Sequence, residues 1–502
     1  MRPWFSLAVL PGIFVMLCAV AWAQPPQIEL RIIIKDRTTL EQLSSEFSVT
    51  DYSDGTATVI CSPAQEQQLR EQGYEVSIIE KPKSTSVTMC TSGWENSSPP
   101  SWNCYPTYEQ YEAMMHRLAD THPTLCRIHD LGPTSNQTRN HHLWALEITD
   151  NPEVDEAEPE VLLTSSMHGD ETAGFILTLR LAFELLENYG LDPSITTLVD
   201  ETEIWINPLA NPDGTYYGGD ESVRSAIRFL TTPSGAAAWI DPNRNFPDPR
   251  VGPHPDGNSW WTETVAMMAF AEERHFALSV NFHGGAELVN YPWDTWCDRH
   301  PDNDWFFNLS LAWATAAQED GPPGYLDDCR QPNCFGGTCT PGVTDGADWY
   351  MVAGGRQDYM TFFLRGREVT IELSSTKLLP SEDLETLWTA NRRAVMAFID
   401  TAHNGIHGTV VDAATGRPLA ATIEIIGVDT AEARSAIVTD PAAGDFHRLL
   451  LPGRYDLRVS SLGQKTLRIP NIEVPELGSS PTLDIRLERV EPVEIPYLTE
   501  SE

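Results

Sequence analysis

The spacing of apolar and polar positions changes several times along the chain, and these changes divide it into segments of different type. The first segment has a basic residue at position 2, an apolar run from about Leu7 to Val20, and the small-x-small triplet AWA at 21–23. This pattern is typical of a secretory signal peptide. We therefore expect residues 1–23 to direct export, and the mature chain to be secreted or periplasmic.

Residues 24–85 alternate between segments of strand period and segments of helical period. IELRIII, TATVIC and YEVSIIE predict strands, whereas TTLEQLSSEF and PAQEQQLREQG predict helices. The order β-α-β-α-β predicts a small α+β unit at the N-terminus. Residues 86–103 are rich in Ser, Thr and Pro and predict a linker.

Residues 104–404 contain the longest alternation of strand and helix patterns. Apolar segments such as EVLLTSS, TEIWINP, ALSVNFH and REVTIELS predict strands. Between them, TAGFILTLRLAFELLENYG, WFFNLSLAWATAAQE and similar segments predict amphipathic or buried helices. The order predicts an α/β domain whose sheet is mixed, mostly parallel and flanked by helices.

Short strand patterns separated by Gly, Pro and Asp turns begin at Gly405. GIHGTVVDAATGRPLAATIEIIG, GDFHRLLLPGRYDLRVSS and TLDIRLERV are examples. This texture predicts an all-β sandwich over residues 405–490. Residues 491–502 form a tail.

The charge balance restricts the partners. The chain has 72 acidic and 33 basic residues, a formal net charge of −39. Such a chain repels phosphates, which argues against nucleic acid and anionic membranes as partners. It attracts cationic substrates, although much of the charge also serves solubility. No stretch after the signal segment is long and apolar enough to predict a transmembrane anchor.

Eight cysteines remain after Cys18 leaves with the signal segment. An even number in an exported chain predicts disulfides, with the pairing left open. Cys329, Cys334 and Cys339 are five residues apart in a Gly- and Pro-rich loop. They favour a stapled loop over a thiolate metal site.

Ionisable residues follow the predicted strands of the α/β domain. EVLLTSS leads into His168 and Glu171, ALSVNF into His283, and VTI into Glu372. Ligands of open α/β sheets bind beyond the carboxyl ends of the strands, so these side chains are expected to meet. Taken singly, His168 and Glu171 fit a helix N-terminus, and His283 fits a buried, hydrogen-bonded histidine. Together they predict a site.

Two histidines and one carboxylate are a set that binds catalytic zinc and leaves one coordination position open. We therefore predict one Zn²⁺ per chain, bound by His168, Glu171 and His283. Glu372 is then available as the base that accepts a proton from water.

Longer motifs carry a specific resemblance. They are MHGDE at 167–171, NPDG at 211–214, DPNRNFPD at 241–248, NFHGGAELVNYPWD at 281–294 and DWYMVAGGRQDYMTFFLRGREVTIELS at 348–374. Over residues 104–400 the chain resembles the zinc metallocarboxypeptidases. The downstream sandwich is similar to the transthyretin-like domain of their regulatory branch, carboxypeptidases N, E, D and M. Residues 24–85 resemble the family's propeptide in element order.

The resemblance implies roles for matched residues. It makes His168, Glu171 and His283 the zinc ligands and Glu372 the general acid/base. It implies that Asn243 and Arg244 bind the substrate's terminal carboxylate and that Tyr350 covers the bound C-terminal residue. An arginine that polarises the scissile carbonyl is matched by Arg228 rather than Arg224.

The resemblance also implies a substrate preference. Asp294 matches an acidic pocket residue that pairs with C-terminal Arg or Lys, and Gln357 matches a second, polar pocket position. We therefore expect the C-termini of peptides or proteins, and basic ones in particular, as substrates. Two other readings stay open, namely a zinc amidase or carboxypeptidase acting on peptidoglycan stem peptides and a non-enzymatic secreted scaffold.

Overall fold

The computed structural model describes residues 27–80, 86–476 and 480–490. The predicted signal peptide and the tail at 491–502 lie outside these residues. The described chain forms an N-terminal α+β unit, a central α/β domain and a C-terminal β-sandwich. None of the helices in these ranges combines the length and the apolar character needed to cross a membrane.

The N-terminal unit is a four-stranded antiparallel sheet, with strands in the order β2-β3-β1-β4, and two helices. Its elements are β1 (Ile28–Ile33), α1 (Arg37–Glu46), β2 (Ser48–Ser53), β3 (Thr56–Cys61), α2 (Pro63–Glu71) and β4 (Val76–Ile78). The sequence predicted three strands, and the structure adds β2. SVTDYS is too polar to be recognised as a strand. It pairs with β3 through a turn at Asp54 and Gly55, which have φ of 50° and 75° as hairpin turns require.

The central domain is built on an eight-stranded sheet, and the predicted fold class is confirmed. Its strands are β5 (Cys126–Pro133), β6 (His142–Ile148), β7 (Glu160–Ser165), β8 (Glu203–Asn207), β9 (Leu278–His283), β10 (Glu287–Tyr291), β11 (Val343–Asp345) and β12 (Arg367–Leu373). They lie in the order β11-β10-β12-β9-β7-β8-β6-β5. The inner strands β8, β7, β9 and β12 run parallel, and antiparallel neighbours flank them.

Helices cover this sheet. They are α3 (Tyr108–Thr121), α4 (Ala173–Asn188), α5 (Pro193–Asp200), α6 (Pro212–Thr215), α7 (Thr262–Glu272), α8 (Asn303–Asp320), α9 (Gly346–Trp349), α10 (Arg356–Asp358) and α11 (Leu384–Asp400). A strand such as β7 is buried at every position, because helices lie on both faces of the sheet. This explains its unbroken apolar sequence.

Residues 86–103 differ from the predicted linker. Val87, Trp94 and Trp102 are buried in the main core of the central domain, and Cys90 forms a disulfide with Cys104. The tryptophans supply the apolar area that anchors this segment, whereas its Ser and Pro content suggested a free connection. Two further disulfides, Cys297–Cys334 and Cys329–Cys339, staple the loop before β11, and Cys61 and Cys126 are free and buried.

The C-terminal unit is the predicted all-β sandwich. One sheet has the order β16-β13-β19 and the other β15-β14-β17-β18. The strands are β13 (Gly405–Asp412), β14 (Ala421–Ile425), β15 (Ile437–Val438), β16 (Asp445–Leu449), β17 (Gly453–Ser461), β18 (Leu467–Val474) and β19 (Thr482–Leu487). A buried ionic cluster joins it to the central domain: Asp302 accepts hydrogen bonds from Arg367 and from Arg448 of β16.

Candidate active site

Three neighbouring parallel strands bring the predicted ionisable residues together. β7 leads through a short loop to His168 and Glu171, β9 ends at His283, and β12 carries Glu372 directly opposite His283 in the strand register. The carboxyl ends of parallel strands meet at one edge of a sheet, so residues far apart in sequence converge there.

Three atoms that could bind a metal ion face one another at this edge. His168 Nδ1 lies 3.0 Å from His283 Nδ1, and Glu171 Oε2 lies 2.9 Å from each of them. All three side chains are buried. His168 Nε2 is 2.9 Å from the Asp241 carboxylate, to which it donates, so the His168 Nδ1 lone pair points at the other two atoms. Convergent nitrogen and oxygen atoms, with an outer carboxylate orienting one imidazole, fit a zinc ion.

The charges around Glu171 keep it ionised. Burial acts to raise its pKa, but the neighbouring His168, Lys377 and His283 hold the pKa well below its usual range. Lys377 Nζ and Arg228 Nη1 each lie 2.8 Å from Oε1 of this carboxylate, which leaves Oε2 for the histidine nitrogens. No motif or spacing in the sequence singles out Lys377, five residues after Glu372.

Glu372 has a carboxylate oxygen that is free to accept a proton. Its Oε2 is buried and has no hydrogen-bond partner among the described residues. Burial first, and then the negative charge of Glu171, raise its pKa to about 8. Glu372 lines the same cavity as the two histidines. A carboxylate in this state can exchange a proton with a water or an amine near neutral pH.

The two candidate arginines are separated by the fold. Arg228 is buried between Glu171 and Asp241, with Nη2 3.0 Å from an oxygen of the Asp241 carboxylate. Arg224 instead donates to the backbone carbonyl of Val87, 2.5 Å away, and does not line the cavity. Asp241 is not among the predicted site residues, although it is the first residue of the DPNRNF motif.

Asn243, Arg244 and Tyr350 also line the cavity. Arg244 Nη1 donates to the Asn243 carbonyl, and its buried Nε has no partner among the described residues. The Asn243 side-chain oxygen accepts a hydrogen bond from the backbone N–H of Arg356. Burial raises the pKa of Tyr350, which keeps its hydroxyl protonated.

Asp294 lies deeper, at one wall of the cavity. Its Oδ1 accepts hydrogen bonds from Asn290 at 3.1 Å and from Gln357 at 3.0 Å. The side chain is 3% exposed, and it forms no ion pair with a cationic side chain of the described chain. Burial raises the pKa of Asp294 to about 7. The site therefore holds an acid whose charged form lacks a directly bonded cation.

Strand β2 of the N-terminal unit lies across this cavity. Ser48 Oγ donates to Asp241 at 2.5 Å, and Arg244 Nη2 donates to the Val49 carbonyl at 2.9 Å. Thr50 lines the cavity, and Asp51 accepts hydrogen bonds from Arg330 and Trp349. The cavity that remains is about 30 Å³, close to the volume of one water in the liquid. Strand β2 therefore leaves little open volume beside His168, Glu171 and His283.

Comparison with known proteins places this geometry in a family. Residues 111–394 match the zinc carboxypeptidase family model, and residues 405–488 match the carboxypeptidase regulatory-like domain. Mouse carboxypeptidase M is 31% identical over 385 residues, which are 74% of this chain and 82% of that protein. Human carboxypeptidase D is 34% identical over 74% of this chain. The chain spans about a quarter (26%) of the length of that protein.

Solved structures show the same fold. Carboxypeptidase A from Helicoverpa armigera superposes with a TM-score of 0.56 at 16% identity, over 75% of this chain and 97% of that one. The crystal structure of thrombin activatable fibrinolysis inhibitor gives 0.55 at 14% identity, over 75% of this chain and 98% of that one. Domain order, family match and fold agree, and the chain therefore belongs to the zinc carboxypeptidase family, whose members are zinc-dependent exopeptidases.

Proposed function

We propose that the chain is an exported carboxypeptidase that releases C-terminal Arg or Lys. The observation that carries the basic preference is Asp294, a buried acid without an ion-pair partner in the cavity. A buried carboxylate is costly when it has no opposite charge, and a substrate guanidinium or ammonium supplies one. The polar Gln357 beside it suits a hydrogen-bonding side chain better than an aliphatic one. The acidic chain as a whole favours the approach of basic C-termini.

The proposed ligand set is His168, Glu171 and His283, with one zinc ion per chain. Bound there, zinc supplies Lewis-acid chemistry, polarising a carbonyl and lowering the pKa of water. Glu372 accepts a proton from the attacking water at Oε2 and transfers it to the nitrogen of the leaving amine. Its raised pKa suits both transfers near neutral pH.

The arginines of the site have separate tasks in this proposal. Arg228 lies beside the ligand carboxylate and stabilises negative charge that develops on the scissile carbonyl oxygen. Arg244, with Asn243, binds the substrate's terminal carboxylate, because a guanidinium offers two parallel N–H donors to a carboxylate. Only a free C-terminus satisfies this pair, so cleavage is restricted to the last peptide bond. Tyr350 closes over the bound residue.

The basic preference is tested by kinetics on peptides that differ only in the last residue. We expect higher kcat/KM for Arg and Lys ends than for Phe and Leu ends. Asp294→Asn should reduce this preference by one to two orders of magnitude, because it leaves the substrate cation without a counter-charge. Asp298→Asn, at an exposed position four residues later, is the matched control. Faster cleavage of apolar ends by the unmodified chain would contradict the proposal.

We also propose that the N-terminal unit, residues 24–85, is an inhibitory propeptide. The support is the position of β2, whose backbone carbonyl at Val49 bonds to Arg244 and whose Thr50 lines the cavity. The unit is joined to the rest of the chain by a short segment, so cutting there would permit it to leave.

A further inference from the structure

A second pair of histidines faces each other in the β-sandwich, far from the catalytic site in sequence. His407 of β13 and His447 of β16 are directly opposite in the antiparallel register. Their Nδ1 atoms are 2.9 Å apart, and their ring centroids are 5.1 Å apart. The His447 side chain is 9% exposed, so bulk water has little access to the space between the two rings.

The protons of this pair can be assigned from the outer nitrogens. His407 Nε2 lies 2.9 Å from the backbone carbonyl oxygen of His403, which can only accept. His447 Nε2 lies 2.9 Å from the carboxylate of Asp445, which also accepts. A neutral imidazole carries one proton. Both protons are therefore on Nε2, and the two Nδ1 lone pairs point at each other.

Two lone pairs at this distance repel unless a cation lies between them. A shared proton is one candidate. A metal ion is the other. Histidines that bind metals generally donate their second N–H to a carboxylate or a backbone carbonyl, as both histidines do here. The proposed catalytic ligands show the same arrangement, with Nδ1 atoms 3.0 Å apart and His168 donating to Asp241.

A cavity of about 560 Å³ adjoins the pair and can hold the waters that complete a coordination shell. His403, His407 and His447 line it, together with the acidic residues Asp200, Glu201 and Asp400. The cavity also touches Glu158, just before β7, and Asp200, just before β8. It thus lies at the amino ends of two parallel strands of the central sheet, one of which, β7, leads at its carboxyl end to His168 and Glu171.

We propose that His407 and His447 bind a divalent transition-metal ion through their Nδ1 atoms, between the sandwich and the central domain. Imidazole nitrogen suits zinc, nickel and copper, and not magnesium or calcium. Two protein ligands bind more weakly than three, so this site fills after the catalytic one. The ion connects β13 to β16 near the point where the chain passes from α11 into the sandwich.

The experiment is equilibrium dialysis of the full-length protein against Zn²⁺ at fixed free concentrations up to about 100 µM, with metal counted by elemental analysis. We expect two zinc ions per chain. His407→Asn and His447→Asn should each remove the second ion and keep the first, and His283→Ala should do the reverse. His403→Gln is the matched control, because its ring bonds to Thr202 and not to the pair. It should keep both ions.

A second measurement tests the proposal even if His407→Asn or His447→Asn does not fold. Cu²⁺ added to His283→Ala, which keeps only one histidine of the proposed catalytic set, should give an electron paramagnetic resonance spectrum with coupling to two imidazole nitrogens. A single metal ion per chain at 100 µM zinc, a second ion retained by both Asn variants, or copper without two-nitrogen coupling would each overturn the proposal. Failure of the carboxypeptidase assays would leave these readouts unaffected.

Discussion

Arg244 donates a hydrogen bond from Nη2 to the backbone carbonyl of Val49, 195 residues earlier in the chain and 2.9 Å away. The residue proposed to bind the terminal carboxylate of a substrate is thus already bonded to the N-terminal unit. Ser48, one residue before, is also bonded to Arg228 through its hydroxyl. Both contacts come from β2, so one strand occupies donors of Arg244, proposed to bind the substrate, and of Arg228, proposed to stabilise its carbonyl oxygen.

If both arginines must be free to act on a substrate, the uncut chain should have low activity. A site-specific protease sequence placed between residues 80 and 86 should give low activity before cleavage and at least tenfold higher kcat/KM once the N-terminal unit has been removed by gel filtration. Asp51→Ala, which deletes the bonds to Arg330 and Trp349, should raise the activity of the uncut chain. Glu71→Ala, exposed on α2, is the control. Equal activity of cut and uncut chains would reject inhibition.

The proposed ligand set predicts the metal content. His283→Ala should lower catalytic zinc from about one per chain to near zero, since one of three convergent ligand atoms is lost. Chelation should lower the melting temperature of the unmodified chain, because an ion that binds only the folded state stabilises it by about 2.7 kcal/mol at 100 times its Kd. His254→Ala, at an exposed position, should change neither. Elemental analysis and calorimetry measure both, and full zinc occupancy in His283→Ala would contradict the assignment.

Glu372→Gln should slow hydrolysis roughly 10²-fold or more, the scale of general acid–base catalysis. Zinc should stay bound, because this side chain is outside the ligand triangle. The amide keeps the size of the carboxyl group, so the melting temperature serves as a check on folding. Glu382→Gln, exposed before α11, is the control. Turnover close to that of the unmodified chain would remove Glu372 from the mechanism.

The pKa of Asp294 predicts how substrate preference varies with pH. The ratio of kcat/KM for Arg-ended to Leu-ended peptides should rise through about pH 7, since the carboxylate binds a cation only when deprotonated. Using the ratio cancels ionisations common to both substrates, including that of Glu372. Glu368 and Asp248 raise the pKa of Asp294, and Arg244 lowers it. Asp294 in turn raises the pKa of Asp358, so the midpoint belongs to these interacting acids together. Asp294→Asn should give a flat ratio, and an unchanged slope in that variant would contradict the assignment.

The ionic cluster between the domains predicts a large stability effect. Arg448 is fully buried and bonds to both Asp302 and Asp429 at 2.7 Å. Arg448→Met should lower the free energy of unfolding by about 3–5 kcal/mol, because it leaves buried carboxylates without their partner. Arg458→Ala, which breaks an exposed pair with Glu424, should cost about 1 kcal/mol or less. Urea unfolding compares the two, and equal effects would mean that the cluster is not the main link.

The local pattern of the chain determined most of the secondary structure and the positions of the site residues. Apolar strands such as β7 and β9 are recognisable because both faces are buried. Ionisable residues just beyond such strands are unusual, and they therefore indicate a functional site. His168, Glu171, His283 and Glu372 could therefore be selected before any contact was known. Their roles remain proposals.

Only the tertiary structure decided the contacts between segments distant in sequence. The sequence pattern of β2 does not predict a strand, because its polar residues face the catalytic domain. The alternation of residues within β2 contains no information about that partner surface. The burial of Trp94, the disulfide pairs, the approach of Lys377 to Glu171 and the pairing of His407 with His447 depend in the same way on which elements become neighbours. Periodicity reports how one segment meets its surroundings, and it carries no information on which distant side chain it meets.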